Sequence, residues 1–341
     1  MFQFGVTNES RYMRITPILS AVKMLQMPDE SSVRFFGKAE ADKLAEAIRK
    51  RNVFARHSWE NNFYVQRIKA FSNQTIIEVF LQGDPNEIAV EAEERSDLIE
   101  MLLVLSSTIA LDKNKLHKKL GVGLKSQTQI DFIFGNEMRF LKSRSKAKLA
   151  VKGLEINEQF TRRFSRLGVE ELYKCCLKGN DISKRLRRSL EWLYESRLEL
   201  NLAASIVKTA IALETLLIFN ETESLARSLS ERTAFIISNK LETRRHISII
   251  LKTFYDARSG VVHGSKKKKR KVTPELLESV DRITFLLILT ISANHNGWPT
   301  IERLSQWCEL QRWGQPSTQV KYPFQEITLT RAIKLSKITT T

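Results

Sequence analysis

The chain has 341 residues, of which 42% are hydrophobic and 27% charged, with a net charge of +17. A chain of this length buries a sizeable core in one large or two ordinary domains, and its composition is that of a soluble globular protein. Three cysteines, two adjacent (Cys175, Cys176) and one distant (Cys308), exclude a disulfide framework and a zinc spacing, and fit a reducing, cytoplasmic compartment. No continuous apolar run lies between Met1 and Leu25, so no secretory leader is expected. Leu102–Leu111 and Phe285–Ala293 are too short to span a bilayer, and Leu202–Phe219 is interrupted by Lys208 and Glu214. The run Lys266–Lys271 supplies six of the positive charges, leaving +11 elsewhere, and a basic balance spread along a chain favours a polyanionic partner. Nucleic acid is the first candidate and an anionic membrane the second.

Residues 1 to 35 carry no clear pattern. Ala39–Lys50 has the spacing of a short amphipathic helix. Phe63–Phe71 and Thr75–Gln82 are rich in β-branched and aromatic residues, with Ser72-Asn73-Gln74 between them as a hairpin turn. Gly83-Asp84-Pro85-Asn86 ends the second strand, and a helix acidic at its start runs from Glu87 to about Leu111. From Asn114 strand signals fade, and Lys142–Lys148 reads as a linker or helix end. Helical spacing then covers Asn157–Lys178, Ile182–Phe219, Glu223–Asn239, Thr243–Arg258 and Pro274–His295. In the last of these, Leu276, Val280, Ile283, Leu287 and Ile291 form one stripe, Thr273 is the N-cap with Pro274 at the first helical position, and Asn296-Gly297 closes the helix. The tail Gln315–Thr341 is polar, weakly periodic and expected to be partly disordered.

The segment Arg258-Ser259-Gly260-Val261-Val262-His263, between Tyr255 and Gly264, holds the candidate chemistry. Histidine exchanges protons near neutral pH, and arginine grips phosphate through two parallel N–H bonds. A lone R-x4-H match is weak, but its context adds weight. An apolar helix ending in Ala212-Leu213-Glu214 precedes it. A stripe Leu225, Leu229, Arg232, Ile236 follows, and a long apolar helix closes the series.

This ordered series, from about Ile182 to His295, resembles the HEPN superfamily and within it the ApeA-like branch. The resemblance implies a small helical bundle that dimerises, in which arginine and histidine from both subunits meet in one cleft and cut RNA without metal. Carried over, Arg258 and His263 are the catalytic pair, with Tyr255, Ser259, Glu214 and Arg232 in support. Many members have Asn, Asp or His directly after the arginine. Here that position is Ser259, which still donates or accepts a hydrogen bond.

The residues themselves admit this chemistry. RNA carries its own nucleophile, the 2′-OH. His263 would take that proton or supply one to the leaving 5′-oxygen, and Arg258 would neutralise charge on the phosphate. Residues i and i+5 on an ideal helix lie about 140° apart. Unless the helix distorts near Gly260, a shared cleft between two subunits is required. The basic run Lys266, Lys267, Lys268, Lys269, Arg270 and Lys271 would draw in the RNA backbone; it also has the form of a nuclear localisation signal, or is a plain solvated loop. Arg162-Arg163 with Arg166, and Lys184–Arg188, would extend that track, or are plain exposed helix faces. Glu214 and Arg232, charges on apolar stripes, are expected to pair with each other. Arg51 and His57 fit the same loose motif but precede a hairpin and read as a helix end. Gly121-Val122-Gly123 lacks the pattern of a dinucleotide site. His117, His246 and His295 read as structural or exposed.

The expected architecture is mainly α: a C-terminal HEPN-like helical bundle with a smaller α+β N-terminal domain. Residues 1–112 form the α+β sensing or regulatory module, which would take a regulatory protein or ligand. Residues 113–180 form a helical connector, 181–300 the HEPN-like domain and 301–341 an extension. The expected function is a homodimeric endoribonuclease, a toxin or phage-defence effector, needing neither cofactor nor metal. A non-catalytic module binding RNA or a partner is the alternative.

Overall fold

The computed structural model describes residues 9–16, 19–21, 24–51, 66, 69, 74–83, 85–110, 122–134, 140–151, 154–219, 225–263, 273–314 and 320–338. Two compact units emerge, Met1–Glu100 with Lys115–Arg162, and Met101–Asn114 with Arg163–Thr341. The described chain is mainly helical, with an antiparallel sheet in the first unit.

In the first unit, β1 (Glu9–Thr16), β3 (Leu25–Gln26), β4 (Ser32–Phe36), β5 (Gln74–Gln82), β6 (Val122–Phe134) and β7 (Phe140–Val151) form a sheet in the order β3-β4-β5-β1-β6-β7. Every neighbouring pair in it is antiparallel. β2 (Leu19–Ala21) and β8 (Leu154–Ile156) form a separate parallel pair. α1 is Lys38–Arg51 and α2 is Pro85–Ala110, both close to expectation. Arg14 on β1 is fully buried, and its guanidinium is paired with Asp97 of α2 and donates to the Tyr12 hydroxyl at 3.1 Å.

Two readings of this region are corrected. Gln66 and Lys69, within the expected strand Phe63–Phe71, are helical, and Lys69 Nζ lies 3.4 Å from Asp42 of α1. β5 therefore pairs with β1 and β4, not with a preceding hairpin strand. The expected helical connector over 113–180 contains instead the long β6–β7 ladder. Lys142, Arg144, Lys146 and Lys148 recur at every second residue, which is the period of a strand. The register sets Arg144 opposite Asp131 and Lys146 opposite Gln129.

The second unit contains α3 (Glu158–Arg166, which begins in the first), α4 (Val169–Leu177), α5 (Asp181–Leu198), α6 (Leu202–Leu217), α7 (Leu225–Ile237), α8 (Leu241–His263), α9 (Pro274–Ala293), α10 (Ile301–Arg312) and α11 (Glu326–Leu335). Two of the expected helical segments are each split. Gly168 turns the chain between α3 and α4 with φ 68°, a conformation that favours glycine. Asn201 accepts from the backbone N–H groups of Ala203 and Ala204, so a new N-terminus is capped where the spacing alone ran on.

α9 is the centre of the unit. Between Leu276 and Ser292 every residue but Arg282 is buried, as expected of a helix apolar on all sides. It packs against α4, α5, α6, α7, α8 and α11. Thr273 accepts from Leu276 N at 3.2 Å, as its position before Pro274 predicts. Within the tail, Glu326–Leu335 forms α11, which is joined to α9 by the Ser279 hydroxyl donating to Ala332 O at 2.7 Å.

Candidate active site

α8 carries the motif and packs against α6. Tyr255 is buried and its hydroxyl donates to Ala210 O at 3.4 Å. One turn further along each helix, Arg258 Nη2 lies 3.5 Å from Glu214 Oε1. The two helices thus run in the same direction where they meet. The Arg258 and Glu214 side chains are 23% and 16% exposed, within reach of solvent but largely desolvated. Neither Glu214 Oε1 nor Arg258 Nε has a hydrogen-bond partner among the described residues. The ion pair is therefore loose, and the guanidinium keeps donor capacity.

Burial raises the Glu214 carboxyl above the ordinary carboxylate range, and the Arg258 charge opposes that shift. Burial, reinforced by Glu214, pushes the Tyr255 phenol well above its ordinary value, with Arg258 acting in the opposite sense. Tyr255 is thus a fixed donor that docks α8 on α6.

The helix carrying the motif is unbroken through Gly260 and ends at His263. Arg258 and His263 are therefore about 140° apart around one helix axis. Ser259 and Gly260 are half-buried, while Val261 and Val262 are 37% and 49% exposed, so the end of α8 emerges from the bundle.

Arg232 departs from expectation. It does not pair with Glu214. Its Nη1 donates to Leu217 O at 2.7 Å, and its guanidinium lies 4.1 Å from the Phe219 ring centre. The last carbonyls of a helix lack intrahelical donors and carry partial negative charge. Arg185 Nη1 likewise reaches Thr215 O at 3.0 Å. Two arginines from α5 and α7 thus cap the C-terminal turn of α6, the turn after Glu214. In the Lys184–Arg188 cluster, Arg187 and Arg188 approach Glu191 at 3.7 Å and 2.8 Å, while Lys184 and Arg188 are exposed.

A buried polar cluster escaped the sequence reading. Arg197 of α5 is paired with Glu278 and lies 3.3 Å from Asp281, both on α9. The Thr209 hydroxyl of α6 donates to Asp281 at 2.7 Å. Burial lifts the Asp281 carboxyl to about 6 although Arg197 pulls it down, whereas Glu278, held by Arg197 and Arg282, stays below its ordinary value. The signal was present as two acids three residues apart inside an otherwise apolar helix. His295 is buried, with Nδ1 2.7 Å from Ser292 O and Nε2 against Lys178, which is a structural arrangement.

Lys266 to Lys271, His57, His117 and Gly121 lie outside the described residues, as does the His263 side chain. Among the described residues no group of three or more His, Cys, Asp or Glu side chains is placed to hold a metal ion. No helix among them is long and apolar enough to cross a membrane. No protein-family model, curated protein or solved structure matches the chain.

Proposed function

We propose that the protein is a homodimeric endoribonuclease that cuts RNA by attack of the 2′-OH, without a metal. The observation that carries this reading is the loosely held Arg258, with an unpartnered Nε, on the same unbroken helix as His263. In the proposed reaction a neutral His263 takes the 2′-OH proton, and the 2′-oxygen attacks the adjacent phosphorus. The bond to the 5′-oxygen breaks, and that oxygen takes a proton from a protonated imidazole. Arg258 stabilises charge on the non-bridging oxygens. The products are a 2′,3′-cyclic phosphate and a 5′-hydroxyl. The angular separation on α8 is relieved if a second subunit completes the site, and two histidines then serve as base and acid. Regulation by a protein or ligand at the first unit, a role in phage defence and RNA capture by Lys266–Lys271 belong to the same proposal.

The test is cleavage of total RNA in EDTA by wild type, His263→Ala and Arg258→Lys, with analysis of the new ends. Cuts by the wild type alone, with cyclic phosphate and 5′-hydroxyl ends, are expected. Arg258→Lys keeps the charge but loses the planar fork, and a loss of about 100-fold is expected. Undiminished cutting by a folded His263→Ala protein overturns the reading.

A second reading rests on Glu214. A carboxylate facing Arg258 offsets its charge, as suits a module that binds RNA or a partner without cutting. That reading predicts retained RNA binding and no new ends from any variant.

A further inference from the structure

A cavity of about 670 Å³ opens in the second unit. Arg163, Arg166 and Leu167 line one side, the strap Tyr322-Pro323-Phe324 another, and Gln325, Ile327, Thr328 and Arg331 of the α11 N-terminal region a third. Ile109 of α2 completes it. We propose that this cavity binds a nucleoside phosphate, either a free nucleotide or the 5′-phosphorylated end of an RNA.

The charge distribution points to an anion. The lining carries three guanidinium groups and no carboxylate. On α3 the outward Arg162 is paired with Glu158 at 2.8 Å. Arg163 and Arg166, three residues apart and so on one face, have no acidic partner among the described residues, although Arg163 is half-buried. Two adjacent guanidinium forks suit phosphate oxygens. Gln325, the N-cap of α11, makes no side-chain cap bond, so the positive end of that ten-residue helix also faces this region. The acid in its first turn, Glu326, is engaged by Lys240 Nζ at 2.5 Å and is not part of the lining.

The other half of the cavity suits a base. Tyr322 and Phe324 lie 6.1 Å apart between ring centres, beside Ile327, Leu167 and Ile109. Aromatic faces take any base by stacking, and the volume lies within the range of small-molecule sites. The strap is built into place. Asn294 donates to Lys321 O at 2.8 Å and accepts from Lys321 N at 2.9 Å. On the other flank Pro323 packs so closely on Gly168 that a Cβ there would sit 3.3 Å from it.

The experiment is calorimetric titration of the full chain in a His263→Ala background, so that cleavage cannot consume a probe and the nuclease reading is not needed. The probes are AMP, ATP, adenosine, and a short RNA with either a 5′-phosphate or a 5′-hydroxyl. Saturable binding of AMP, or tighter binding of the 5′-phosphorylated RNA than of its 5′-hydroxyl counterpart, is expected, and no binding of adenosine. Binding of AMP identifies a free nucleotide as the source; a preference for the 5′-phosphorylated RNA without binding of AMP identifies an RNA end. Arg163→Gln with Arg166→Gln should weaken binding at least about tenfold, roughly the worth of one charged hydrogen bond. The doubly lysine-substituted chain should bind between the two. Phe324→Ala should weaken AMP more than inorganic phosphate. No saturation by any phosphorylated probe up to about 1 mM, or undiminished binding in the folded double-Gln variant, overturns the proposal.

Discussion

Arg258 and Glu214 face each other across α6 and α8 at 3.5 Å, with Glu214 Oε1 left without a hydrogen bond. Two opposite charges are thus brought together in a largely desolvated place without the geometry that would fully compensate them. Because burial raises Glu214, the folded chain holds its proton to higher pH than the unfolded chain. The contribution of that group to stability then declines as pH rises above the ordinary value of 4.5. Glu214→Gln should therefore gain stability relative to wild type on going from acid to neutral pH. Urea denaturation of both chains at acid and neutral pH checks it; a constant difference would show that Glu214 is not perturbed.

Arg232 is expected to be a stability residue. Arg232→Met fills similar space but strips Leu217 O of its donor and removes the charge from the Phe219 ring. A loss of about 2 kcal/mol is expected, with the slope of urea unfolding unchanged. A variant as stable as wild type would mean that the capping bond contributes nothing net.

The Asp281 cluster gives a pH signature of its own. The folded-state value is lifted from 3.8 to about 6, so between those limits the native state binds more protons than the unfolded state. Stability from this group falls as pH climbs through the window and is level above it. Asp281→Asn removes the slope. The stability of wild type relative to Asp281→Asn should drop by about 3 kcal/mol across the window, which thermal melts in a pH series will read. A rise instead of a drop would mean that Arg197 outweighs burial.

Gly168 is a backbone position. Alanine there would hold φ 68° and press a methyl group against Pro323. Gly168→Ala should cost about 1–2 kcal/mol and loosen the strap, so that Tyr322 is more readily reached by a water-soluble quencher of tyrosine fluorescence. A neutral substitution would show that the turn accommodates a side chain.

Local signals in the sequence were legible wherever one short segment carried the whole instruction. Thr273-Pro274 and the stripe Leu276, Val280, Ile283, Leu287 and Ile291 specify a capped, buried helix, and that helix forms. Breaks were lost where a helical period continued across a competing local bond, as at Asn201, or across the αL turn at Gly168. β6 and β7 were missed because Lys142 to Lys148 look like a solvated linker, although their alternation is that of a strand. At the candidate site the motif from Arg258 to His263 is visible as a spacing, but the neighbour of Arg258 is not: Glu214 was assigned to Arg232, because nothing in a sequence tells which of two distant cations an acid will meet. The cavity draws on segments more than a hundred residues apart, whose proximity is a property of the fold alone.

α9 is made after every element it supports in α5 to α8. A ribosome-bound chain halted at Pro274 would already carry Arg258 and His263, yet would lack the helix on which all four of those helices pack. It would also lack Glu278 and Asp281, leaving Arg197 without either of these partners. Such a nascent chain holds the chemistry in sequence but has nothing rigid to mount it on. Under the proposed nuclease reading, synthesis itself would then impose a delay before the chain could act on RNA near the ribosome making it. Stalled chains ending before α9 should be cut by protease within α6 and α8, and chains that have released α9 from the exit tunnel should resist.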